Sequence, residues 1–296
     1  MRILVTGRDG QVARSLARAS GDDELIFVAR PAFDLADISS IEQTVDAIKP
    51  DMVVSAAAYT AVDRAESEPE LAMAINGIGP GVLARAAVRV GAPIIHLSTD
   101  YVFDGNLNRP WREDDPVNPI NIYGATKLAG ERAVVENNPN HFILRTAWVY
   151  SPFGQNFVKT MLRLAAGRDD LSVVEDQLGC PTSAHDIARA IGTVAGSWKN
   201  RVLTGQPGIY HFTGAGETSW ADFARAIFEE SAWRGGPGAT VHGIPSSAYP
   251  TQAARPANSR MDCTRFAHAF GEHAPHWRES LGVVVGEILS NRELVS

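Results

Sequence analysis

The stretch RILVTGRDGQVA, residues 2–13, decides how the chain begins to fold. It opens with a mostly apolar run typical of a buried strand, and a helical pattern follows it. Between the two, Gly7 permits a tight turn, Gly10 lets the backbone approach a pyrophosphate, and Ala13 replaces a third glycine. The helix start would present free N–H groups and its positive dipole end to that anion. The stretch therefore predicts a dinucleotide-binding turn, with an ordinary strand–helix turn as the alternative.

Strand-like and helix-like runs alternate through the first half of the chain. Further strands are predicted at residues 25–29, 52–55, 93–97 and 142–146. This alternation is typical of an α/β fold with a Rossmann-type, doubly wound parallel sheet that binds its ligand at the carboxyl ends of the strands.

The alternation weakens after residue 150, which indicates a second unit. We expect a dinucleotide-binding Rossmann domain over residues 1–150, on which a helix at about 183–198 packs back. Residues 151–296 are expected to form mainly a smaller α/β substrate lobe that is interleaved with the sheet.

Composition excludes several classes of protein. The chain has 296 residues, 45% of them hydrophobic and 21% charged, with a formal net charge of −7. This balance is ordinary for a globular domain and argues against a nucleic-acid binder. We expect no apolar run near the roughly 18 residues of a membrane helix and no signal peptide before the first strand. Two cysteines, Cys180 and Cys263, fit a reducing cytosol, so we expect a cytoplasmic protein.

Three side chains form the candidate catalytic set. Thr99 follows the predicted strand at residues 93–97, and Tyr123 and Lys127 stand four residues apart, on one face of a predicted helix. A carbonyl reductase needs these groups: the tyrosine donates a proton, the lysine lowers the pKa of the tyrosine, and the threonine holds the carbonyl oxygen. The spacing Tyr-x-x-x-Lys is a weak signal alone, but the upstream Thr99 and the glycine turn strengthen it.

Two arginines indicate which cofactor the glycine turn would hold. Arg30 follows the second predicted strand, where an acidic residue would bind the ribose hydroxyls of NAD. Arg8 adds a second guanidinium, and two such groups suit a 2′-phosphate, so we expect NADPH over NADH. The alternatives are solvated surface arginines and use of NADH. The remaining candidate cofactor contacts are Gly7, Gly10, Gln11, Val12, Asp37, Ile38, Ala56, Ala57, Ala58, Tyr59 and Lys127.

Longer motifs resemble one family. The runs AAAYTAVD (56–63), STDYVFDG (98–105), YGATKLAGE (123–131), RTAWVY (145–150) and RPANS (255–259) resemble the dTDP-4-dehydrorhamnose reductase family of the extended short-chain dehydrogenase/reductase superfamily. The match spans nearly the whole chain in the right order. It implies an NAD(P)H-dependent oxidoreductase that reduces the 4-keto group of dTDP-4-dehydro-L-rhamnose, the last step of dTDP-rhamnose biosynthesis.

The resemblance also implies where the dTDP-sugar would bind. Beside Thr99 and Tyr123, residues at strand ends are candidates for the sugar: Asp100, Tyr101 and Trp148. Candidates for the nucleotide diphosphate are Asn156, Gln177, Arg255 and Asn258. Arg255 is the best of these, because a guanidinium bridges phosphate oxygens. The alternative for the four loop residues is loop anchoring, and for Trp148 it is core packing.

Some members of this family pair through magnesium held by carboxylates, one of them on the helix after the glycine turn. Here that helix has Arg14 and Ser15, and no acid before Asp22. A pairing through magnesium is therefore not expected. We expect no metal site, a monomer or weak homodimer, and no nucleic-acid or membrane partner.

Two other functions stay open at this point. One is a nucleotide-sugar epimerase of the same superfamily, which would keep NAD tightly bound. The other is a non-catalytic regulatory subunit with this fold. Arg8 and Arg30 argue against the first, and the intact Thr99, Tyr123 and Lys127 set argues against the second.

Overall fold

The computed structural model describes residues 1–19, 21–200 and 205–290. Its strands are β1 (Arg2–Thr6), β2 (Glu24–Val28), β3 (Met52–Ser55), β4 (Ile94–Thr99), β5 (His141–Thr146), β6 (Val149–Tyr150), β7 (Asp170–Val174), β8 (Leu178–Gly179), β9 (Thr182–Ser183), β10 (Gly208–His211), β11 (Thr218–Ser219) and β12 (Thr240–Ile244). Its α-helices are α1 (Gln11–Arg18), α2 (Ile38–Ile48), α3 (Val62–Ala65), α4 (Pro69–Met73), α5 (Gly79–Arg89), α6 (Ile122–Asn137), α7 (Phe157–Ala165), α8 (Ala184–Asn200), α9 (Trp220–Trp233), α10 (Thr264–Phe270) and α11 (Trp277–Ser290). A π-helical turn (Ala74–Ile78) joins α4 to α5, and 3₁₀ turns span Asp100–Val102 and Ser246–Ala248.

Six strands pair in parallel in the order β10-β5-β4-β3-β1-β2. The five strands predicted in the first half are confirmed, each within about two residues of its expected bounds. Strand order reverses at β1, with β2 on one side of it and β3 on the other. This reversal creates a crevice at the carboxyl edge of the sheet, which confirms the Rossmann-type, doubly wound fold.

Helices cover both faces of the sheet, as a parallel sheet requires. On one face α1, α8 and α10 bury a core that includes Val5, Leu16 and Phe142. On the other face α2, α5 and α6 bury a second core that includes Leu4 and Ile94. The strands are therefore apolar on both sides, and their polar termini are left at the edge.

The second half of the chain forms a further core and also extends the sheet. Helix α9 packs on the parallel pair β7–β12, and α7 and α11 pack on α9, so the predicted α/β lobe is present. The strand β12 is not among those predicted, since Gly243 interrupts its apolar pattern. Strand β10 pairs with β5, and α8 packs on α1, as expected of an interleaved lobe. The boundary at residue 150 stays a prediction, and residues 201–204 and 291–296 of the lobe lie outside the described residues.

One apolar helical segment departs from expectation. The continuous run from Pro69 to Arg89 is long and apolar enough to cross a membrane by length and composition, so the prediction that no run approaches that length was wrong. Most of the segment is buried, and α5 packs between α2 and α6. The segment is rich in alanine and glycine, which let neighbouring helices approach closely, and these small residues also give it its apolar composition. The segment is a core helix of the α/β fold.

The closest of these approaches is testable at Gly130 on α6. A Cβ there would lie 2.0 Å from the carbonyl oxygen of Asn76 in the π-helical turn. We expect Gly130→Ala to lower the free energy of unfolding by about 1–3 kcal/mol through overpacking. The matched control is Gly192→Ala on α8, where nothing lies within 4 Å and alanine should stabilise by up to about 1 kcal/mol. Denaturant unfolding measures both, and equal stabilities would contradict the packing argument.

Candidate active site

The glycine turn leaves open backbone at the carboxyl edge of β1. Gly7 has φ +87°, where an L side chain is strained, and its N–H donates to Val28 O at 2.8 Å. Gly10 precedes the first residue of α1, and no atom beyond its own chain neighbours lies within 4 Å of where its Cβ would be. Free helix N–H groups beside open space fit a pyrophosphate. These residues therefore suit a dinucleotide.

The segment after β3 forms the neighbouring wall of this crevice. The N–H groups of Ala56 and Ala57 donate to Thr6 Oγ1 at 3.0 and 3.1 Å, which ties β3 to β1. Tyr59 donates its hydroxyl to Glu68 at 2.5 Å, and that contact raises the pKa of Tyr59. The small side chains at 56–58 thus border the crevice, while the Tyr59 hydroxyl is occupied by Glu68.

The two predicted phosphate-binding arginines lie at equivalent positions. Thr6 of β1 and Val28 of β2 are paired in register, and Arg8 and Arg30 each follow two residues later. Both side chains are exposed, and Arg8 meets the carboxylate of Asp9 only at 3.8 Å. Adjacent strand ends therefore offer two guanidinium groups at one edge of the sheet.

Asp37 and Ile38 follow β2 at the start of α2, as predicted. Asp37 caps that helix and accepts from the N–H of Ser39 at 3.0 Å, so its carboxylate is committed to the helix. Ile38 is a large apolar side chain with 48% of its surface exposed. An exposed isoleucine at this edge offers an apolar surface on which a flat adenine ring could pack.

Thr99 and Tyr123 meet at the end of β4. The Thr99 hydroxyl donates to Asp100 Oδ1 at 3.0 Å and accepts from the N–H of Tyr101 at 3.2 Å. The rings of Tyr101 and Tyr123 pack edge to face with centroids 5.5 Å apart. Burial raises the pKa of Tyr123 well above its usual value, the Asp100 carboxylate raises it further, and the Thr99 hydroxyl lowers it. Tyr123 is therefore protonated at neutral pH, as a proton donor must be.

Lys127 lies one helical turn after Tyr123 and is 2% exposed. Its Nζ donates to Leu97 O at 2.7 Å and lies 3.4 Å from His96 Nε2. Burial lowers the pKa of Lys127 to about 8. The expected lowering of the Tyr123 pKa by Lys127 is not found here, because the ammonium group faces the β4 backbone.

His96 is a core residue that has polar partners on both ring nitrogens. It is fully buried, and its Nδ1 lies 3.0 Å from Ser55 Oγ. Its contact with Lys127 was not foreseen. A histidine in an otherwise apolar strand, three residues before the strand end, is the sequence signal that could have indicated it.

Asp100, Tyr101 and Arg255 join the site to the second half of the chain. Burial raises the pKa of Asp100 to about 6 and that of Tyr101 to about 12. Arg255 donates to Asp63 Oδ2 at 2.7 Å and to the Tyr101 hydroxyl at 3.4 Å. The best candidate for a phosphate contact thus already lies beside Tyr101.

Trp148 forms a flat wall between the sheet and the lobe. Its backbone is left-handed, with φ +49°, and its ring stacks on Trp220 with centroids 3.5 Å apart. Gly179 also packs closely on this ring, since a Cβ there would lie 2.4 Å from a Trp148 ring atom. Trp220 was not among the predicted site residues, because only the fold brings α9 to this position.

The three predicted amide side chains anchor loops in this structure. Asn156 caps α7 and donates to Gln11 Oε1 at 3.0 Å, which links the glycine turn to the lobe. Asn258 donates to two carbonyls of the loop at 107–109, at 2.7 and 2.8 Å. Gln177 donates to a serine hydroxyl at 2.9 Å. Loop anchoring is the alternative that the sequence left open, and a contact with the nucleotide stays a prediction for each.

The helix after the glycine turn is occupied by cation–aromatic packing. The guanidinium of Arg14 lies 4.2 Å from the centroid of the Phe153 ring, and that of Arg18 lies 4.5 Å from it. Within the described ranges, no three His, Cys, Asp or Glu side chains are grouped so that they could share a metal ion.

Comparisons with known proteins agree with this geometry. Residues 1–290 match the family model described as the RmlD substrate binding domain. A dTDP-4-dehydrorhamnose reductase from Sinorhizobium fredii (strain NBRC 101917 / NGR234) is 50% identical over 290 residues, covering 98% of each chain. The crystal structure of a dTDP-4-dehydrorhamnose reductase from Clostridium acetobutylicum ATCC 824 is 38% identical with a TM-score of 0.90, covering 98% of this chain and 100% of that one.

A second solved structure extends the comparison to a bound cofactor. It is the dTDP-4-dehydrorhamnose reductase from Bacillus anthracis str. Ames in complex with NADP, which is 36% identical with a TM-score of 0.89 and covers 97% of this chain and 99% of that one. The family model, the relative and both structures extend over nearly the full length of the chain. The chain therefore belongs to the dTDP-4-dehydrorhamnose reductase family.

Proposed function

We propose that this protein is an NADPH-dependent oxidoreductase that reduces the 4-keto group of dTDP-4-dehydro-L-rhamnose to give dTDP-L-rhamnose. The observation that carries the chemistry is the half-buried Tyr123 phenol beside Thr99, at the carboxyl edge of the sheet where Lys127 also lies. The relatives named above supply the substrate and the reaction. We also propose a cytoplasmic location and a monomer or weak homodimer.

The cofactor site consists of the open glycine turn and the exposed arginines. Gly7 and Gly10 would hold the pyrophosphate, Arg8 and Arg30 the 2′-phosphate, and Lys127 the ribose hydroxyls. NADPH supplies the hydride when it is bound.

The protein's own groups handle the proton and the developing charge. Tyr123 gives its phenolic proton to the oxygen at C4 of the sugar as that oxygen becomes an alkoxide. Thr99 must turn its hydroxyl from Asp100 to the same oxygen, where a hydrogen bond strengthens as charge develops. Trp148 and Tyr101 form the walls that exclude water, and Arg255 contributes a cation beside Tyr101.

The proton-donor role is tested by Tyr123→Phe. We expect the rate of NADPH oxidation with enzymatically prepared dTDP-4-dehydro-L-rhamnose to fall by about 10²–10⁴-fold, the usual contribution of general acid catalysis. NADPH affinity, measured by fluorescence titration, should stay near that of the wild type, because the phenyl ring keeps its packing on Tyr101.

The exposed Tyr249, which is 62% accessible, is the matched control, and Tyr249→Phe should be fully active. Normal turnover in the Tyr123 variant would remove that residue from the acid role. No NADPH oxidation by the wild type, with tightly bound NAD in the purified protein, would instead favour the epimerase.

Cofactor choice is tested at the end of β2. Arg30→Ala should raise the KM for NADPH by roughly 10–100-fold, as expected when a hydrogen bond to a charged group is lost. The KM for NADH should change little, since NADH has no 2′-phosphate. Equal effects on the two cofactors would show that Arg30 does not contact the phosphate. Arg168→Ala, in the exposed turn after α7, is the control.

The buried lysine predicts the pH dependence. Because burial lowers the pKa of Lys127 to about 8, its ammonium form is complete below that pH and is lost as the pH rises through it. We expect kcat/KM for NADPH, which reports the enzyme before the cofactor binds, to fall above pH about 8. A pH–rate profile that stays flat to pH about 10 would contradict a role for the charged lysine.

A further inference from the structure

A buried ion pair lies behind the catalytic groups and has no part in the mechanism above. Glu131 on α6 and Arg145 on β5 are each 2% exposed. Arg145 donates to the carboxylate twice, from Nε at 2.9 Å and from Nη2 at 2.7 Å. Removing two charges from water is costly, and such a pair is often no more stabilising than apolar residues of similar size. Stability alone therefore gives little reason for its presence.

The pair ties the catalytic strand to the catalytic helix. Ser98, the residue before Thr99, donates its hydroxyl to Glu131 Oε1 at 2.5 Å. Ser98 is also paired in register with Arg145 on the adjacent strand. One carboxylate thus connects the end of β4, which bears Thr99, with α6, which bears Tyr123.

The same carboxylate acts on Lys127. Glu131 follows Lys127 by four residues on α6, so the two side chains lie on one helix face. Burial lowers the pKa of Lys127, and the charge of Glu131 opposes that change by raising it. Removal of the Glu131 charge would therefore lower the pKa of Lys127 further.

The other charged or titratable groups near Lys127 come from several elements. His96 on β4 is kept neutral, because burial lowers its pKa well below the usual value. Tyr123 and Asp100 lie on the side of the crevice, and Arg145 of β5 lies behind Glu131. The π-helical turn contributes the neutral Asn76, which contacts the neighbouring Thr126. Glu131 is thus the acidic group that raises the Lys127 pKa among the described residues.

We propose that Glu131 is a positioning residue for the reduction: its carboxylate ties the strand end that bears Thr99 to the helix that bears Tyr123 and Lys127. Arg145 in turn supplies the opposite charge and the two hydrogen bonds that a buried carboxylate requires. The far side of Arg145 is covered by neutral groups, the Phe103 ring at 5.1 Å and His211 Nε2 at 3.5 Å. This inference rests on the proposed function.

The test compares pH–rate profiles. In Glu131→Gln, the alkaline fall of kcat/KM for NADPH should move to lower pH, because an opposite charge favours the charged form of a lysine. The matched control is Glu136→Gln, an exposed position on the same helix, which should leave the profile in place. A purely structural pair would lower the rate by one factor at every pH, and that result would overturn the proposal.

A second variant guards against misfolding, because Glu131→Gln leaves Arg145 buried without its partner. The double variant Glu131→Leu with Arg145→Met replaces both charges by apolar side chains and should show the same shift of the alkaline limb. A folded double variant with the wild-type limb would overturn the proposal.

Wild-type protein that never oxidises NADPH with the keto-sugar would refute the proposed function itself. An active wild type whose variants keep the wild-type alkaline limb would refute only the role of Glu131.

Discussion

Parallel pairing of the strands is the constraint on which this molecule depends. Six strands run in one direction, so their carboxyl ends share an edge, and the chain leaves the apolar layers there. The glycine turn, the wall after β3, and Thr99 all lie at the carboxyl ends of strands, although they are far apart in sequence. The reversal of strand order at β1 opens the crevice between them. Backbone hydrogen bonds between the strands thus bring the candidate site residues of the first half to one edge of the sheet.

Burial then decides the protonation state of each group at that edge. It raises the pKa values of Tyr123 and Asp100 and lowers those of Lys127 and His96. Tyr123 consequently retains the proton it is to donate, while Lys127 sits near its titration point. A lysine in this position depends on nearby carboxylates for its charge, which gives the buried Glu131 a chemical significance beyond packing.

The second half of the chain completes the site because it is interleaved with the sheet. The Trp148–Trp220 stack spans the end of β5 and the start of α9, and Arg255 reaches Tyr101 from a distant loop. Asn156 and Asn258 anchor loops through both the nitrogen and the oxygen of their side-chain amides. The polar loop residues that the sequence suggested as ligand contacts are therefore of two kinds. Some face the crevice, and others hold the loops that border it.

The sequence by itself determined the Rossmann sheet, the glycine turn, and the set of Thr99, Tyr123 and Lys127. These are local signals: apolar runs of strand length, glycines at a strand end, and a spacing of four on one helix face. Only the tertiary structure decided that Lys127 faces Leu97 and His96 rather than Tyr123, that Trp220 backs Trp148, and that Glu131 joins Ser98 to Arg145. An arginine within the apolar strand at 142–146 demands a buried partner, but its identity depends on how α6 packs across the sheet. Side-chain direction and burial are properties of packed elements, and no local pattern of residues specifies them.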